Sequence, residues 1–152
     1  MNGGADTLVL CDTNGGSLPN YVYDTTKKIV DRYKQPIGVH CHNDSGLAAA
    51  NTLMAVSAGA LHVQGTINGV GERCGNVSLA TVLPNLVLKM KKETKTKLNL
   101  TDLSSLVKFT YDIMNMHPDT QAPFIGKSAF AHKGGIHVLS LIHISEPTRH
   151  LL

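Results

Sequence analysis

The sequence lacks the features that mark membrane, secreted and nucleic-acid-binding proteins. It has no apolar run of the roughly 18 residues that a membrane helix needs. Its N-terminus lacks the basic stretch and apolar core of a secretory signal. The formal net charge is only +3 and the basic residues form no stripe, which argues against a nucleic-acid or membrane partner. With 42% hydrophobic and 16% charged residues, the chain is expected to fold as a globular protein.

Cysteine is also scarce. Cys11, Cys41 and Cys74 lie far apart in the sequence and form no C-x-x-C pair. An odd number of cysteines without a disulfide-type spacing indicates reduced thiols, as in the cytoplasm. We therefore predict a cytoplasmic protein whose cysteines are small buried side chains beside strands.

The first 92 residues repeat a strand–loop–helix pattern three times. Short apolar runs predict strands over residues 7–11, 37–41 and 61–66, and the segments after them predict helices over residues 19–33, 46–58 and 77–92. The apolar character of 7–11 predicts a strand buried on both faces. Repeated βα units of this length predict a parallel sheet with helical crossovers, and hence an α/β fold.

Polar, glycine-rich loops follow all three predicted strands. They are DTNGGS (12–17), the end of HCHND (40–44), and NGVGERCGN (68–76). In parallel α/β folds the carboxyl ends of the strands meet at one edge, where ligands bind. Three such loops at one edge are more than turn formation requires, so we expect a binding site there.

A histidine pair suggests the chemistry of that site. His40 and His42 are two residues apart at a strand end, so both rings are expected on one face of the sheet. Asn76 ends the neighbouring loop, where its amide oxygen could complete a site for Mg²⁺, Mn²⁺, Co²⁺ or Zn²⁺. Without Asn76, the pair would fit two ordinary polar histidines equally well. Asp44 is either the ligand in place of Asn76 or a helix cap, and the cap is favoured by its place in N-D-S.

The remaining candidate site residues in these loops have two possible interpretations each. Glu72 and Arg73 are either a salt-bridged structural pair or groups that face the site. Thr13 either offers its hydroxyl to a substrate oxygen or stabilises a turn. A dinucleotide site in GVGERCGN is not expected, because its third glycine comes one place late and no acidic residue follows at the required distance.

The sequence changes character after residue 92. Residues 93–138 predict a linker, a helix over 103–116 and a loop that contains AFAHKGGIH, whose histidines are candidate acid–base groups or ordinary loop residues. Residues 139–152 include LSLIHISEPTR, which resembles the translation of a transposase adapter used in sequencing-library preparation. We interpret 139–152 as a non-native tail and exclude it from functional reasoning.

Four segments together resemble one enzyme family. In order, they are LCDTNGGSLP, GVHCHNDSGLAAANTLMAVSAGA, VQGTINGVGERCGN and AFAHKGGIHV. They are similar to consecutive motifs of the 2-isopropylmalate, homocitrate and citramalate synthases, metal-dependent TIM-barrel enzymes that condense acetyl-CoA with a 2-oxo acid. The resemblance implies that residues 1–92 are about the last three βα units of a (β/α)8 barrel and that 93–138 begin a helical subdomain.

The resemblance also implies roles for individual residues. His40, His42 and Asn76 match metal ligands, and Thr13 matches a contact to the 2-oxo acid. His137 matches a proposed acid–base group that reaches the neighbouring subunit's site in a homodimer. Together with Glu72, it is a candidate catalytic residue.

CDTNGG and AHKGG are most similar to the citramalate branch, which uses pyruvate and serves isoleucine biosynthesis. The alternatives are a 2-isopropylmalate synthase of leucine biosynthesis, a related metal-dependent barrel lyase, and a metal-binding protein without activity. The family's remaining metal ligand, an aspartate on the first barrel strand, has no match in this chain. We therefore expect the chain to be a fragment that is unstable and inactive alone.

Overall fold

A computed structural model describes residues 4–95 and 99–131 of the chain. The chain divides into two compact units, residues 1–82 and 83–152. The candidate His137 and the tail 139–152 lie outside the described residues. The boundary that the sequence suggests, at residue 92, stays a prediction.

The first unit contains a three-stranded parallel sheet with helical crossovers. Strands β1 (Leu8–Asp12), β2 (Ile37–Cys41) and β3 (His62–Gln64) lie side by side in that order. Helix α1 (Pro19–Arg32) follows β1, α2 (Ala48–Ser57) follows β2, and α3 (Leu79–Pro84) begins after the loop that follows β3. This arrangement confirms the parallel α/β fold predicted from the alternating pattern.

The two faces of the central strand differ in what they contact. In β2, Ile37, Val39 and Cys41 are buried on one face. Val39 and Cys41 line a cavity of about 330 Å³ together with Val22 and Thr26 of α1, so this is the face that packs against the helices. Because side chains alternate along a strand, His40 points to the opposite face.

The register of the sheet brings the ends of the strands to one edge. Cys11 of β1 lies beside His40 of β2, and His40 lies beside Gln64 of β3. Paired residues in neighbouring parallel strands project on the same side of the sheet. The loops after all three strands therefore leave from the same edge, as the sequence pattern predicts.

The start of α2 differs from the prediction that Asp44 caps it. The residue before the helix is Leu47, which makes no side-chain cap, and Asn43 Oδ1 instead accepts a hydrogen bond from the Ala48 amide at 3.2 Å. Asp44 is drawn away by an ion pair with Arg73. Its carboxylate is then unavailable to the helix.

The predicted third helix and third strand are both shorter than expected. Helix α3 ends at Pro84 and continues as a π-helix, Asn85–Lys89, because proline has no amide hydrogen and clashes with the preceding turn. Strand β3 ends at Gln64, since Thr66 pairs with Ser78 across the loop. The Thr66 amide donates to the Val77 carbonyl at 3.1 Å.

Two predictions about burial near the first strand are wrong. Strand β1 is only partly buried, because β2 is its only neighbour within the described residues. Cys11 and Cys74 are exposed, and only Cys41 is buried. Burial raises the pKa of the Cys41 thiol to about 11, which makes it a poor nucleophile at neutral pH.

The second unit is helical. It contains a 3-10 turn (Leu100–Asp102), helix α4 (Leu103–Ile113) and a second 3-10 turn (Lys127–Phe130). Helix α4 buries every fourth residue on one face, namely Leu103, Val107 and Tyr111. None of the helices within the described residues combines the length and the apolar character needed to cross a membrane.

Candidate metal centre

Two imidazole rings lie together at the carboxyl edge of the sheet. The centroids of the His40 and His42 rings are 5.2 Å apart, with an angle of 67° between the ring planes. His40 belongs to β2 and His42 follows it immediately, so the extended backbone places both rings on one face. The structure thus brings the two histidines together as predicted.

Asn76 joins this pair through a backbone bridge. His42 and Asn76 form an isolated antiparallel β-bridge, flanked by hydrogen bonds from the Asn43 amide to the Gly75 carbonyl and from the Val77 amide to the Cys41 carbonyl, both 2.9 Å. Directly opposed residues in an antiparallel bridge project their side chains to the same side. Asn76 is therefore held beside His42 by the main chain.

The loop leaves space for the Asn76 amide at one glycine. A Cβ atom on Gly71 would lie 2.7 Å from Asn76 Nδ2 and 3.1 Å from its Oδ1. Any other residue at position 71 would displace the amide from its place beside His42. Glycine at position 71 thus allows the close approach of the Asn76 side chain.

Three polar atoms of this cluster, each able to ligate a metal ion, are buried without a hydrogen-bond partner. They are His40 Nδ1, His42 Nδ1 and Asn76 Oδ1. Buried polar atoms are nearly always paired, and leaving one unpaired costs about 1–3 kcal/mol. Imidazole nitrogens with an amide oxygen fit a divalent ion that accepts mixed nitrogen and oxygen ligands. Within the described residues, no three His, Cys, Asp or Glu side chains cluster to form a metal site. The Asn76 amide would therefore be the third ligand from this part of the chain.

An ion pair beside the histidines connects two of the loops. Arg73 Nε donates to Asp44 Oδ1 at 2.8 Å, and Arg73 Nη2 donates to Asp44 Oδ2 at 3.0 Å. The hydrogen bonds from Arg73 lower the pKa of Asp44 below its usual value. Asp44 therefore belongs to a bidentate ion pair. This role differs from both the helix cap and the metal ligand that the sequence suggested.

The loop after β1 packs closely against Asp44. Gly15 has a positive φ of 62°, and a Cβ atom built on it would lie 2.5 Å from Asp44 Oδ2 and 2.7 Å from the Asp44 amide nitrogen. The Ser45 amide donates to the Gly15 carbonyl at 3.0 Å. The first two loops are thus in direct contact at Asp44.

A partly buried polar network holds the first loop, and sequence reasoning missed it. Asp12 Oδ1 accepts from the Ser17 hydroxyl at 3.0 Å, and Asn51 Nδ2 donates to the Ser17 carbonyl at 2.8 Å. Asn51 lies in α2 and is fully buried. The signal in the sequence was a single asparagine within an otherwise alanine-rich helix, which needs a partner when it is buried.

The other candidates have less defined places. The Glu72 side chain is 80% exposed, and Glu72 Oε2 lies 3.6 Å from Arg73 Nη1. Arg73 therefore makes shorter contacts with Asp44 than with Glu72, and a catalytic role for Glu72 stays a prediction. Thr13 is exposed in the first loop, and its carbonyl accepts a hydrogen bond from Arg73 Nη2 at 2.5 Å.

Parallel βα units with polar loops and a metal-type cluster at their carboxyl edge define an α/β protein with its site at the strand ends, as in TIM barrels and doubly wound sheets. Residues 1–109 match the model of the HMGL-like family, and the chain belongs to that family. The match covers the sheet, its helices and the candidate metal centre. The resemblance inferred from the four motifs is thus confirmed at the level of the family.

Synthases are among the curated relatives. The (R)-citramalate synthase of Aquifex aeolicus is 48% identical over 152 residues, which cover 99% of this chain and 29% of the relative. The (R)-citramalate synthase of Synechocystis sp. is 52% identical over 144 residues, covering 89% of this chain and 26% of the relative. A protein of Methanopyrus kandleri named "Probable 2-isopropylmalate synthase" is 40% identical over 148 residues, covering 96% of this chain and 29% of the relative. The chain thus spans less than a third of the length of these relatives.

Two HMG-CoA lyases are among the solved structures with a similar fold. An HMG-CoA lyase from Bacillus subtilis superimposes with a TM-score of 0.63 at 26% identity, covering 74% of this chain and 39% of that one. An HMG-CoA lyase from Acinetobacter baumannii gives a TM-score of 0.68 at 22% identity, covering 87% of this chain and 45% of that one. These similarities confirm the predicted TIM-barrel fold class.

Proposed function

We propose that this chain is part of a divalent-metal-dependent acyltransferase that condenses acetyl-CoA with pyruvate to form citramalate. The observation that carries the proposal is the cluster of three buried, unpaired donor atoms on His40, His42 and Asn76. The names of the relatives that are 48% and 52% identical support the choice of reaction. Because the chain spans only part of their length, the activity is proposed for the full-length protein.

In this proposal His40, His42 and Asn76 hold the metal ion. When bound, such an ion polarises the keto group of the acceptor as a Lewis acid. Thr13 offers its hydroxyl to an oxygen of the 2-oxo acid, in a loop whose backbone is held by Arg73. Glu72 and His137 are the candidate groups for taking a proton from the acetyl methyl group and for returning one to the product.

The second candidate is 2-isopropylmalate synthase, with 2-oxoisovalerate as acceptor. It is favoured by the 40% identity to the Methanopyrus kandleri protein of that name. The two acceptors differ by two methyl groups, and each methylene in an apolar pocket changes binding by only about 1–3 kcal/mol. Direct comparison of substrates is therefore the way to separate them.

The test is release of free thiol from acetyl-CoA by the full-length protein, with pyruvate, 2-oxoisovalerate or 2-oxoglutarate as acceptor. Chelator-sensitive release with pyruvate as the preferred acceptor is the expected result. Preference for 2-oxoisovalerate would instead support the second candidate, 2-isopropylmalate synthase. No release with any acceptor would refute both candidates and leave a barrel lyase or an inactive metal-binding protein.

Matched histidine variants test the metal centre within this assay. His42→Ala and Asn76→Ala are expected to lower release by more than about 100-fold, since loss of even an outer partner of a metal ligand typically costs about 10–100-fold. His62→Ala removes an exposed imidazole of the same sheet whose ring nitrogen contacts Gln64 at 3.3 Å. Activity in His62→Ala comparable to the unsubstituted protein would show that the loss is specific to the cluster.

We further infer a cytoplasmic homodimer that acts in branched-chain amino acid biosynthesis, with isoleucine as the end product. Cysteines without disulfide-type spacing and the biosynthetic names of the relatives support this view. Cell fractionation and the mass of the full-length protein in solution test the location and the oligomeric state. A monomer, or a protein found outside the cytoplasm, would contradict them.

A further inference from the structure

The side chain of Arg73 contacts all three loops at the carboxyl edge of the sheet. It belongs to the loop after β3, and it binds the Asp44 carboxylate in the loop after β2, 29 positions away in sequence. It also binds the Thr13 carbonyl in the loop after β1, 60 positions away. Contacts this distant in sequence form only when the three loops take up their final arrangement.

We propose that Arg73 is a positioning residue for the site, holding the loop that carries Thr13 and the loop that carries His42 against its own loop, which carries Asn76. This inference rests on the proposed function for what the site does. The geometry that supports it is independent of the reaction. Arg73 acts through Asp44 and through the Thr13 carbonyl, and no direct contact with substrate is required.

The form of the contact explains why arginine is needed. Two nitrogens of the guanidinium bind the two carboxylate oxygens of Asp44, and one of these nitrogens also binds the Thr13 carbonyl. A lysine ammonium is a single point of charge and cannot reproduce this planar pair of contacts. Lysine at position 73 would keep the positive charge but would not hold the Asp44 carboxylate in a defined orientation.

The backbone at this position adds a second observation. Arg73 has a φ of 56°, in the left-handed region that residues with a side chain rarely adopt. A hydrogen bond of 2.9 Å from the Gly75 amide to the Glu72 carbonyl closes the turn around it. Such strain is characteristic of functional sites, where the surrounding structure holds it in place. Here the turn points Arg73 at Asp44 and leaves Asn76 opposite His42.

The ion pair also determines what Asp44 does near the histidines. Asp44 follows His42 by two residues, and its carboxylate is satisfied by Arg73 on both oxygens. A carboxylate engaged in this way is not free to bind the metal ion in place of Asn76. Arg73 therefore defines the ligand set as well as the loop positions.

The experiment compares four variants of the full-length protein. Arg73→Ala removes all contacts, Arg73→Lys keeps only the charge, and Asp44→Asn keeps the shape of the partner. Lys27→Ala is the matched control, because it removes an exposed ion pair with Asp31 at 2.6 Å within helix α1. Thermal unfolding is recorded for each variant, so that a variant that fails to fold is replaced in the comparison by the milder ones.

The first readout is amide hydrogen exchange in peptides that cover residues 12–18 and 42–47. These contain the hydrogen bond from the Ser45 amide to the Gly15 carbonyl that joins the first two loops. Faster exchange in both peptides, with unchanged exchange in strand β2, is expected for Arg73→Ala and Asp44→Asn. Arg73→Lys is expected to be intermediate, and Lys27→Ala unchanged.

The second readout is the affinity for Mn²⁺, measured by electron paramagnetic resonance. Arg73→Ala is expected to bind Mn²⁺ up to about 10-fold more weakly than the unsubstituted protein. This is the lower end of the loss caused by removing a direct partner of a metal ligand, because Arg73 acts through Asp44 and the Thr13 carbonyl. Exchange and affinity that do not change in Arg73→Ala would overturn the inference. Neither readout depends on turnover, so an unsubstituted protein that releases no thiol would refute the proposed function alone.

Discussion

Replacing Gly15 by alanine tests whether the loops after β1 and β2 touch as described. The chain offers a matched control in Gly46, which has a similar φ of 70° against 62° for Gly15. A Cβ atom on Gly46 meets nothing within 4 Å, whereas one on Gly15 would lie 2.7 Å from the Asp44 backbone nitrogen. The two substitutions share the backbone cost and differ only in the steric contact.

The expected magnitudes follow from these two terms. A left-handed conformation costs a residue with a side chain about 1–2 kcal/mol, so Gly46→Ala is expected to lower the free energy of unfolding by that amount. Overpacking against a neighbour that cannot move freely adds about 1–3 kcal/mol, so Gly15→Ala is expected to lose roughly 2–5 kcal/mol in total. The clash is with backbone, which cannot rotate away as the end of a side chain can.

The measurement is urea-induced unfolding of the full-length protein, followed by far-ultraviolet circular dichroism. Both variants are analysed with the same dependence of the unfolding free energy on urea concentration. Under the proposed function, Gly15→Ala should also weaken binding of the 2-oxo acid, because Gly15 lies two residues after Thr13 in the same loop. Gly46→Ala should retain it. If Gly15→Ala were no less stable than Gly46→Ala, the described packing between the two loops would be incorrect.

Three further predictions concern charge, reactivity and packing. Hydrogen bonds from its arginine partner lower the pKa of Asp44 in the folded state. Its contribution to stability is therefore present above its unfolded pKa of about 4 and is lost as pH falls through the lowered value. Unfolding measured between pH 7 and pH 2 should show the stability gap to Asp44→Asn closing at the acid end. Iodoacetamide followed by mass spectrometry should label the exposed Cys74 in the native protein and Cys41, whose pKa is about 11, only after denaturation. Ile37→Val should cost about 1 kcal/mol in urea unfolding, because Ile37 is only 2% exposed.

A specific result would contradict each of these three predictions. A stability gap for Asp44→Asn that stays constant to low pH would show that the ion pair does not stabilise the fold. Native labelling of Cys41 at the rate of Cys74 would contradict its burial. For the packing prediction, Leu61→Ala changes a side chain that is 81% exposed and should alter stability by less than about 0.5 kcal/mol. An equal loss from both substitutions would place Ile37 outside the core.

Local pattern predicts much of this fold because the signals are short-range. The apolar run IGVHC predicts β2 with its observed bounds, and the proline at position 19 marks the first residue of α1. The third helix was predicted too long, because the effect of Pro84 on its last turn was not weighed. The burial of β1 was overestimated, since an apolar run carries no information about how many neighbours a strand has.

Local spacing also predicts part of the candidate site, and the rest depends on the tertiary fold. Spacing alone places His40 and His42 on one face, because alternation along an extended chain is a property of the backbone. The prediction of Asn76 as a ligand rests on loop order, since parallel strands bring consecutive loops to one edge. Its actual place, opposite His42 in a short antiparallel bridge, depends on how the loop after β3 folds back.

By itself, the sequence determined the α/β class, the edge of the sheet where the polar loops gather, and the pair of histidines there. Each depends on residues close together along the chain. Only the tertiary structure decided that Asp44 binds Arg73 and does not cap a helix, and that Asn51 holds the first loop through Ser17. The physical reason is that an ion pair or a buried hydrogen bond depends on distance in space, and its partners here lie 29 and 34 positions apart along the chain.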